Sequence, residues 1–277
     1  MKRLFVLLSL AVAAGGPIAA TASSTRGREL DADLRSQALG GELKFAAYLP
    51  KEYESGSTRY PVIYFLHGLP SGPDGYRSAG FLADALDRLG RPAIVVAPQG
   101  SRRPNSDPEY LGAWEKAIAK ELPRVVDSRF RTIRDRSGRA LVGISAGGYG
   151  AMLLALHNLG SFAVVESWSG YFHPTIPDGT GALDLGSAAA NARASAHTFV
   201  PGLKKAVAAQ PTFIGFYVGS GDGRFRDENL QFDRELTSAG VPHVFRLYPG
   251  GHEQAVWAKH APAWLALALD HVAKPRG

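Results

Sequence analysis

Three short segments of this sequence place groups able to do nucleophilic chemistry just past apolar runs. Gly143-Ile144-Ser145-Ala146-Gly147 sets a serine between small residues, after Leu141-Val142 and before Gly148 and the run Tyr149 to His157. A sharp strand-to-helix turn needs small residues on both sides of the serine, and it holds the hydroxyl above a sheet. The helix that follows brings backbone N–H groups to the same spot, where they can meet a developing negative charge. The bland alternative is a glycine-rich turn with a structural serine. A serine hydroxyl is a poor nucleophile without a base, and the base needs a group to orient it. Asp222 closes Val218-Gly219-Ser220-Gly221-Asp222, and His252 closes Tyr248-Pro249-Gly250-Gly251-His252. Taken singly, Asp222 reads as a turn residue or helix N-cap, and His252 as an ordinary helix-start histidine. Their joint placement after successive apolar runs, in the order Ser145, Asp222, His252, points to a nucleophile, an acid and a base. Asp227, Glu166 and Glu253 are rival acids. Glu166 falls inside an expected strand and Glu253 on the last expected helix, so Asp222 is preferred.

Acyl chemistry at such a serine also needs two donors for the oxyanion. One is the N–H of Ala146, directly after the serine. The other comes from His67-Gly68-Leu69-Pro70, with Leu69 preferred and Gly68 its neighbouring alternative. His67 reads as a brace for that loop and not as a second base.

The elements that must hold these groups alternate along the chain. Strand-like runs cover Leu43 to Leu49, Tyr60 to Leu66, Ala93 to Ala97, Arg139 to Ile144, Phe162 to Trp168, Phe213 to Val218 and His243 to Tyr248. The second and third are continuously apolar, as in strands buried on both faces. Helical spacing covers Ala79 to Leu89, Trp114 to Phe130 with a kink or break at Pro123, Ala146 to His157, Asp227 to Ala239 and Glu253 to Val272. Residues 23–37 read as a polar lead-in, and 170–202, rich in Gly, Pro and Ala, as a small excursion or cap. Alternating strands and helices predict an α/β architecture with a mostly parallel twisted sheet and helices on both faces. Residues 23–277 read as one domain without an internal repeat.

The 277 residues carry 31 Lys+Arg against 25 Asp+Glu, a net charge of +6, with 32 Gly, 18 Pro and no Cys. That excludes collagen, a disordered tail and a disulfide-stapled miniprotein. Lys2-Arg3, the apolar run Leu4 to Ala14 and Ala20-Thr21-Ala22 follow the order of a secretory signal peptide cleaved near Ala22. That predicts a secreted or cell-envelope protein. The apolar run is too short for the roughly 20 helical residues of a membrane span; an uncleaved anchor is the alternative. Losing residues 1–22 removes two basic residues and no acid, leaving +4. Arg102-Arg103 and Arg131 to Arg139 are short basic groups with no long basic stripe or interleaved aromatics, so nucleic acid is not an expected partner. The eight His form no H-x-x-x-H or H-E-x-x-H pair, and neither a metal nor a cofactor is expected.

Tyr60 to Gly68 (YPVIYFLHG), Gly143 to Gly148 (GISAGG), Gly219 to Asp222 (GSGD) and Gly250 to His252 (GGH) followed by Trp257 resemble the putative-esterase family of α/β-hydrolases. Tyr48-Leu49-Pro50-Lys51-Glu52-Tyr53 matches that family's YLP-x-x-Y segment, and the likeness runs from about Leu34 to the C-terminus. The family includes feruloyl and acetyl-xylan esterases, S-formylglutathione hydrolases, siderophore esterases and secreted mycolyltransferases. The resemblance implies a Ser145 nucleophile, an Asp222 acid, a His252 base and an oxyanion hole from Leu69 and Ala146. The signal-like segment and the lack of Cys depart from the cytosolic S-formylglutathione branch.

Loops after parallel strands face the ligand edge of such a sheet. Residues 98–114, 169–202 and 222–227 bring Trp114, Trp168, Tyr171, Phe172, His173, Arg102, Arg103, Arg224 and Arg226 there. Aromatic rings suit a sugar or phenolic acyl group, and arginines a carboxylate or phosphate. Trp114, Tyr171 and Arg224 are the expected substrate contacts; Trp168 reads as core. The leading expectation is a serine esterase acting on small-molecule or carbohydrate esters. Two alternatives stand beside it: an acyltransferase to a sugar or lipid hydroxyl, and a non-catalytic envelope or carbohydrate-binding protein on a hydrolase scaffold. No oligomeric state follows from the sequence.

Overall fold

Strands that are apolar at every position need cover on both faces, and the rest of the chain supplies it. The computed structural model describes residues 27–69, 73–102, 110–176 and 181–277. The signal-like segment, Pro70 and Arg103 lie outside them. Among the described residues eight strands form one sheet: β1 (Arg28–Ser36), β2 (Gly41–Leu49), β3 (Val62–Leu66), β4 (Ile94–Pro98), β5 (Arg139–Ile144), β6 (Val164–Trp168), β7 (Phe213–Gly219) and β8 (Val244–Tyr248). Their order is β1-β2-β4-β3-β5-β6-β7-β8. β3 to β8 are mutually parallel, while β1 and β2 run antiparallel at one edge.

Alternate residues of each central strand enter two different cores. Val62, Tyr64, Leu66, Val96 and Leu141 face the helices α3 (Leu122–Arg129), α4 (Ala146–His157), α6 (Val200–Ala209) and α7 (Arg226–Ser238). Ile63, Phe65, Val95, Ala140 and Val142 face α1 (Gly80–Leu89) and α8 (Gln254–Asp270). The helices therefore lie on both faces, as expected, and the fold is that of the α/β-hydrolases.

Two local readings are corrected. The polar lead-in is in fact the edge strand β1, paired with β2 from Arg28↔Leu49 to Ser36↔Gly41. Its charges face solvent while Leu34 and Ser36 turn inward, which suits an edge that must not recruit another strand. Pro123 does not end the helix, but the α-helical pattern is interrupted just before it. The short helix α2 (Ala113–Lys116) passes through a π-helical turn, Ala117–Glu121, into α3, where Pro123 stands in the first turn. The wider turn accommodates a residue without an N–H. The excursion at 170–202 holds α5 (Ala188–Arg193) and runs directly into α6.

The strand order reverses between β3 and β5. From β3 the chain goes outward to β4, and from β5 it steps the other way to β6. Such a switch point opens a crevice at the carboxyl ends of the two strands. Leu66 pairs with Gly143 there, so the loops after β3 and β5 leave the sheet side by side.

Candidate active site

Ser145 occupies the hinge between β5 and α4, with φ 55° and ψ −122°. A non-glycine residue rarely adopts this left-handed region, and it does so where its surroundings force it. The forcing contacts are visible. The Ser145 N–H donates to Trp168 O at 2.9 Å, and Ser145 O accepts from Tyr149 N–H at 3.0 Å. A Cβ on Gly143 would stand 2.0 Å from Gly147 O, and one on Gly147 would stand 2.0 Å from Leu66 O. The flanking glycines are thus required by the closeness of strand, turn and helix. The result is a serine side chain only 8 % exposed at the first turn of α4.

The other two side chains reach Ser145 across the sheet. His252 Nε2 lies 2.9 Å from Ser145 Oγ, and His252 Nδ1 lies 2.7 Å from Asp222 Oδ2. Asp222 is buried, and its Oδ1 accepts the N–H groups of Arg224 at 3.1 Å and Phe225 at 3.3 Å. Burial pushes its carboxyl up. The His252 hydrogen bond and charge, with the two backbone donors, pull it down further and leave it below the ordinary aspartate value. Asp222 is therefore an anion at neutral pH, and it accepts a proton bond from Nδ1. That leaves the Nε2 lone pair of a neutral imidazole aimed at the serine hydroxyl.

The loops after β7 and β8 are pinned together to allow this. Ser220 N–H donates to Tyr248 O at 2.8 Å and Gly221 N–H to Gly250 O at 2.9 Å. A Cβ on Gly219 would stand 2.4 Å from Gly250 O. The His252 ring is held edge-on by Phe225 at 5.3 Å and Trp257 at 4.9 Å between centroids. Trp257 Nε1 donates to Ser169 Oγ at 2.9 Å, and that hydroxyl lies 2.5 Å from Tyr248 Oη. Ser169 and Tyr248 are supports that sequence reasoning misses. Ser169 has the positive φ of 49°, but no residue pattern around it signals that.

Ala146 begins α4, so its N–H has no partner within the helix. Gly68 carries Leu69 past the serine: a Cβ on Gly68 would stand 3.0 Å from Ser145 Cβ. His67 is buried and braces this loop. Gly100 N–H donates to its Nε2 at 3.0 Å, its Nδ1 lies 3.0 Å from Gly68 O, and Tyr110 Oη donates to its carbonyl at 2.8 Å. Burial lowers its basicity and keeps it neutral, and the Gly100 N–H at Nε2 leaves the proton on Nδ1, facing Gly68 O. A cavity of about 190 Å³ opens beside Gly68 and Leu69, lined by Phe65, Phe81, Ile144 and Trp257.

The expected substrate contacts separate. Tyr171 stacks on Tyr149 at 5.0 Å and tilts against Phe225 at 5.0 Å, forming a wall with Ala146 and Leu153. Arg224 is exposed, its guanidinium 5.3 Å from the Phe225 ring. Trp114 is not beside them. It is buried in the core with Ala117, Ile118 and Leu122, which commits its indole to packing. Arg102 is spent on the β1–β2 turn, donating to Leu39 O and Glu42 O. Trp168 and Phe172 are fully buried. Among the rival acids, Glu166 is buried with Trp168 and Tyr217, and Asp227 pairs with Arg226 at the surface.

The switch-point crevice thus carries a serine, an imidazole and a carboxylate in one line of hydrogen bonds. The sequence model of the family described as "Putative esterase" matches residues 36–266, and the chain belongs to that family. Its relatives include Esterase Rv1288 of Mycobacterium tuberculosis, 27% identical over 79% of this chain and 54% of that protein. S-formylglutathione hydrolase of Bos taurus is 27% identical over 49% of this chain and 54% of its own length. The chain thus spans about half the length of these relatives. Among solved structures, a ferulic acid esterase superposes with a TM-score of 0.78 at 23% identity, covering 89% of this chain and 98% of the other. S-formylglutathione hydrolase from Agrobacterium tumefaciens follows at 0.72 and 20%, covering 90% and 97%.

Proposed function

We propose that this chain is an exported serine esterase that cleaves carboxylic esters through an acyl-enzyme on Ser145. The observation that carries this reading is the continuous line Asp222 Oδ2–His252 Nδ1, His252 Nε2–Ser145 Oγ, at 2.7 and 2.9 Å. His252 takes the Ser145 proton as Oγ attacks the ester carbonyl. Asp222 holds the imidazole in the tautomer that can do so and stabilises the imidazolium that forms. The carbonyl oxygen becomes an oxyanion on the N–H groups of Ala146 and Leu69, beside the positive end of α4. The imidazolium then protonates the departing alcohol. Water, activated by the same imidazole, releases the acid and restores Ser145. Membership of an esterase family supports the ester as substrate. Export rests on the order of charged, apolar and small residues in 1–22.

The Ser145→Ala variant, folded as judged by circular dichroism, is expected to turn over p-nitrophenyl acetate at least ~10³-fold more slowly. A fluorophosphonate probe should label the parent protein at Ser145 and leave the variant unlabelled. Turnover that survives the substitution removes the acyl-enzyme from the account.

A further inference from the structure

The proposed ester chemistry makes no use of a second cluster of imidazoles and carboxylates. His173 lies in the loop after β6, His197 in the 3-10 turn Ala196–Phe199, and Glu228 in the first turn of α7. One ligand atom from each lies within 4.8 Å of the other two. Glu228 Oε1 is 2.5 Å from His173 Nδ1 and 3.3 Å from His197 Nε2, and it accepts Phe172 N–H at 2.7 Å. His197 Nδ1 is 2.5 Å from Glu235 Oε2.

The tautomers make this arrangement informative. A carboxylate only accepts, so Glu235 requires a proton on His197 Nδ1. A neutral His197 then carries a bare lone pair on Nε2, aimed at the lone pairs of Glu228 Oε1. Two acceptors facing one another repel unless a positive charge stands between them. Either His197 takes a second proton, or a cation fills the gap. An imidazole whose far nitrogen is held by a carboxylate, with its near nitrogen turned toward another imidazole and a carboxylate, is the arrangement found around metal ions.

We propose that His173, His197 and Glu228 bind a divalent transition-metal ion, with Glu235 orienting His197 from behind. Two imidazole nitrogens and one carboxylate favour zinc over calcium or magnesium, which prefer oxygen. Water completes the fourth position. Zinc–ligand bonds of roughly 2.0–2.2 Å in a tetrahedron put donor atoms ~3.3 Å apart. The His197–Glu228 separation already matches, the His173–Glu228 contact opens by less than ~1 Å, and the two imidazole nitrogens, no more than 4.8 Å apart, draw in on the ion. The His173 side chain is 36% exposed, which opens the cluster to solvent. The ion ties the two ends of the 170–202 excursion, at His173 and His197, to α7, the helix that follows the Asp222 loop. In a chain with no Cys, disulfides cannot make that tie.

Tag-free protein stripped with EDTA and dialysed should take up one zinc ion per chain and retain it through gel filtration. Zinc at ~100 times its dissociation constant should raise the melting temperature by roughly 5–10 °C, and magnesium should not. The double substitution His197→Gln, Glu228→Gln should abolish retention. Glu235→Gln should weaken zinc binding about 10- to 100-fold. Zinc uptake no greater than that of the double variant, or a melting curve indifferent to zinc, overturns the proposal in favour of a protonated histidine–glutamate network. If the double variant fails to fold, cobalt(II) in the parent protein decides. Intense visible bands of four-coordinate cobalt support the site, and the pale spectrum of hydrated cobalt overturns it.

Discussion

Glu166 shows how much a single buried carboxyl can reveal. It lies on β6 beneath the site, accepting Trp168 Nε1–H and Tyr217 Oη–H, each at 2.9 Å. Burial raises its pKa to about 8 against the two hydrogen bonds that favour the anion. In the unfolded chain it ionises near the ordinary glutamate value. Between these two values the unfolded state has shed the proton and the native state has kept it, so stability falls as pH rises from about 4.5 toward 8. Glu166→Gln keeps a neutral donor and acceptor of the same shape and removes the titration. The melting temperature of the variant relative to the parent should therefore climb with pH, the gap widening by at least ~4 °C between pH 5 and pH 8. A gap that stays constant would mean Glu166 is ionised in the native state. At this same scale, Ser145, Asp222 and His252 are legible in the sequence because each ends an apolar run amid glycines. Ser169, Tyr248 and Glu235 are not, since their roles depend on partners 79, 88 and 38 residues distant, too far apart for a local pattern to show.

Among the elements, the turn from β5 into α4 is the most constrained. Gly143 and Gly147 are there because strand, helix and the end of β3 approach too closely for any side chain. Gly143→Ala pushes a methyl carbon onto the Gly147 carbonyl, so the helix must move away from the strand. We expect a loss of at least ~2 kcal/mol in urea denaturation. Esterase turnover should fall by about 10² because Ser145 Oγ shifts against His252. Full activity in this variant would show that the turn has room to spare. Most elements are legible because their apolar periods are long. β1 is not: an edge strand needs only every second residue turned inward, and Leu30, Ala32 and Leu34 are hidden among charges. The His173–His197–Glu228 cluster escapes notice for a related reason. Its members are separated by 31 and 55 residues, whereas recognisable metal motifs keep two ligands within a few positions.

For the molecule as a whole, two cores share one sheet, and every residue of β3 to β6 except Arg139 is buried. Neither core can dissolve without exposing the other side of the same strands. Residues 23–277 should therefore unfold in urea as one unit. Trp168, Trp257 and Trp264 report the α1–α8 face, whereas Trp114 reports the opposite one. Tryptophan fluorescence and far-ultraviolet circular dichroism should trace the same transition; two separated midpoints would mean two domains.

The proposed general base, His252, follows an edge strand. Among the described residues β8 is the last strand of the sheet and pairs only with β7, and its Leu247 is 46% exposed. Fraying there would swing the imidazole away while the hydroxyl, anchored three strands inward, stays poised. Warming would then silence the protein reversibly, well before its interior comes apart.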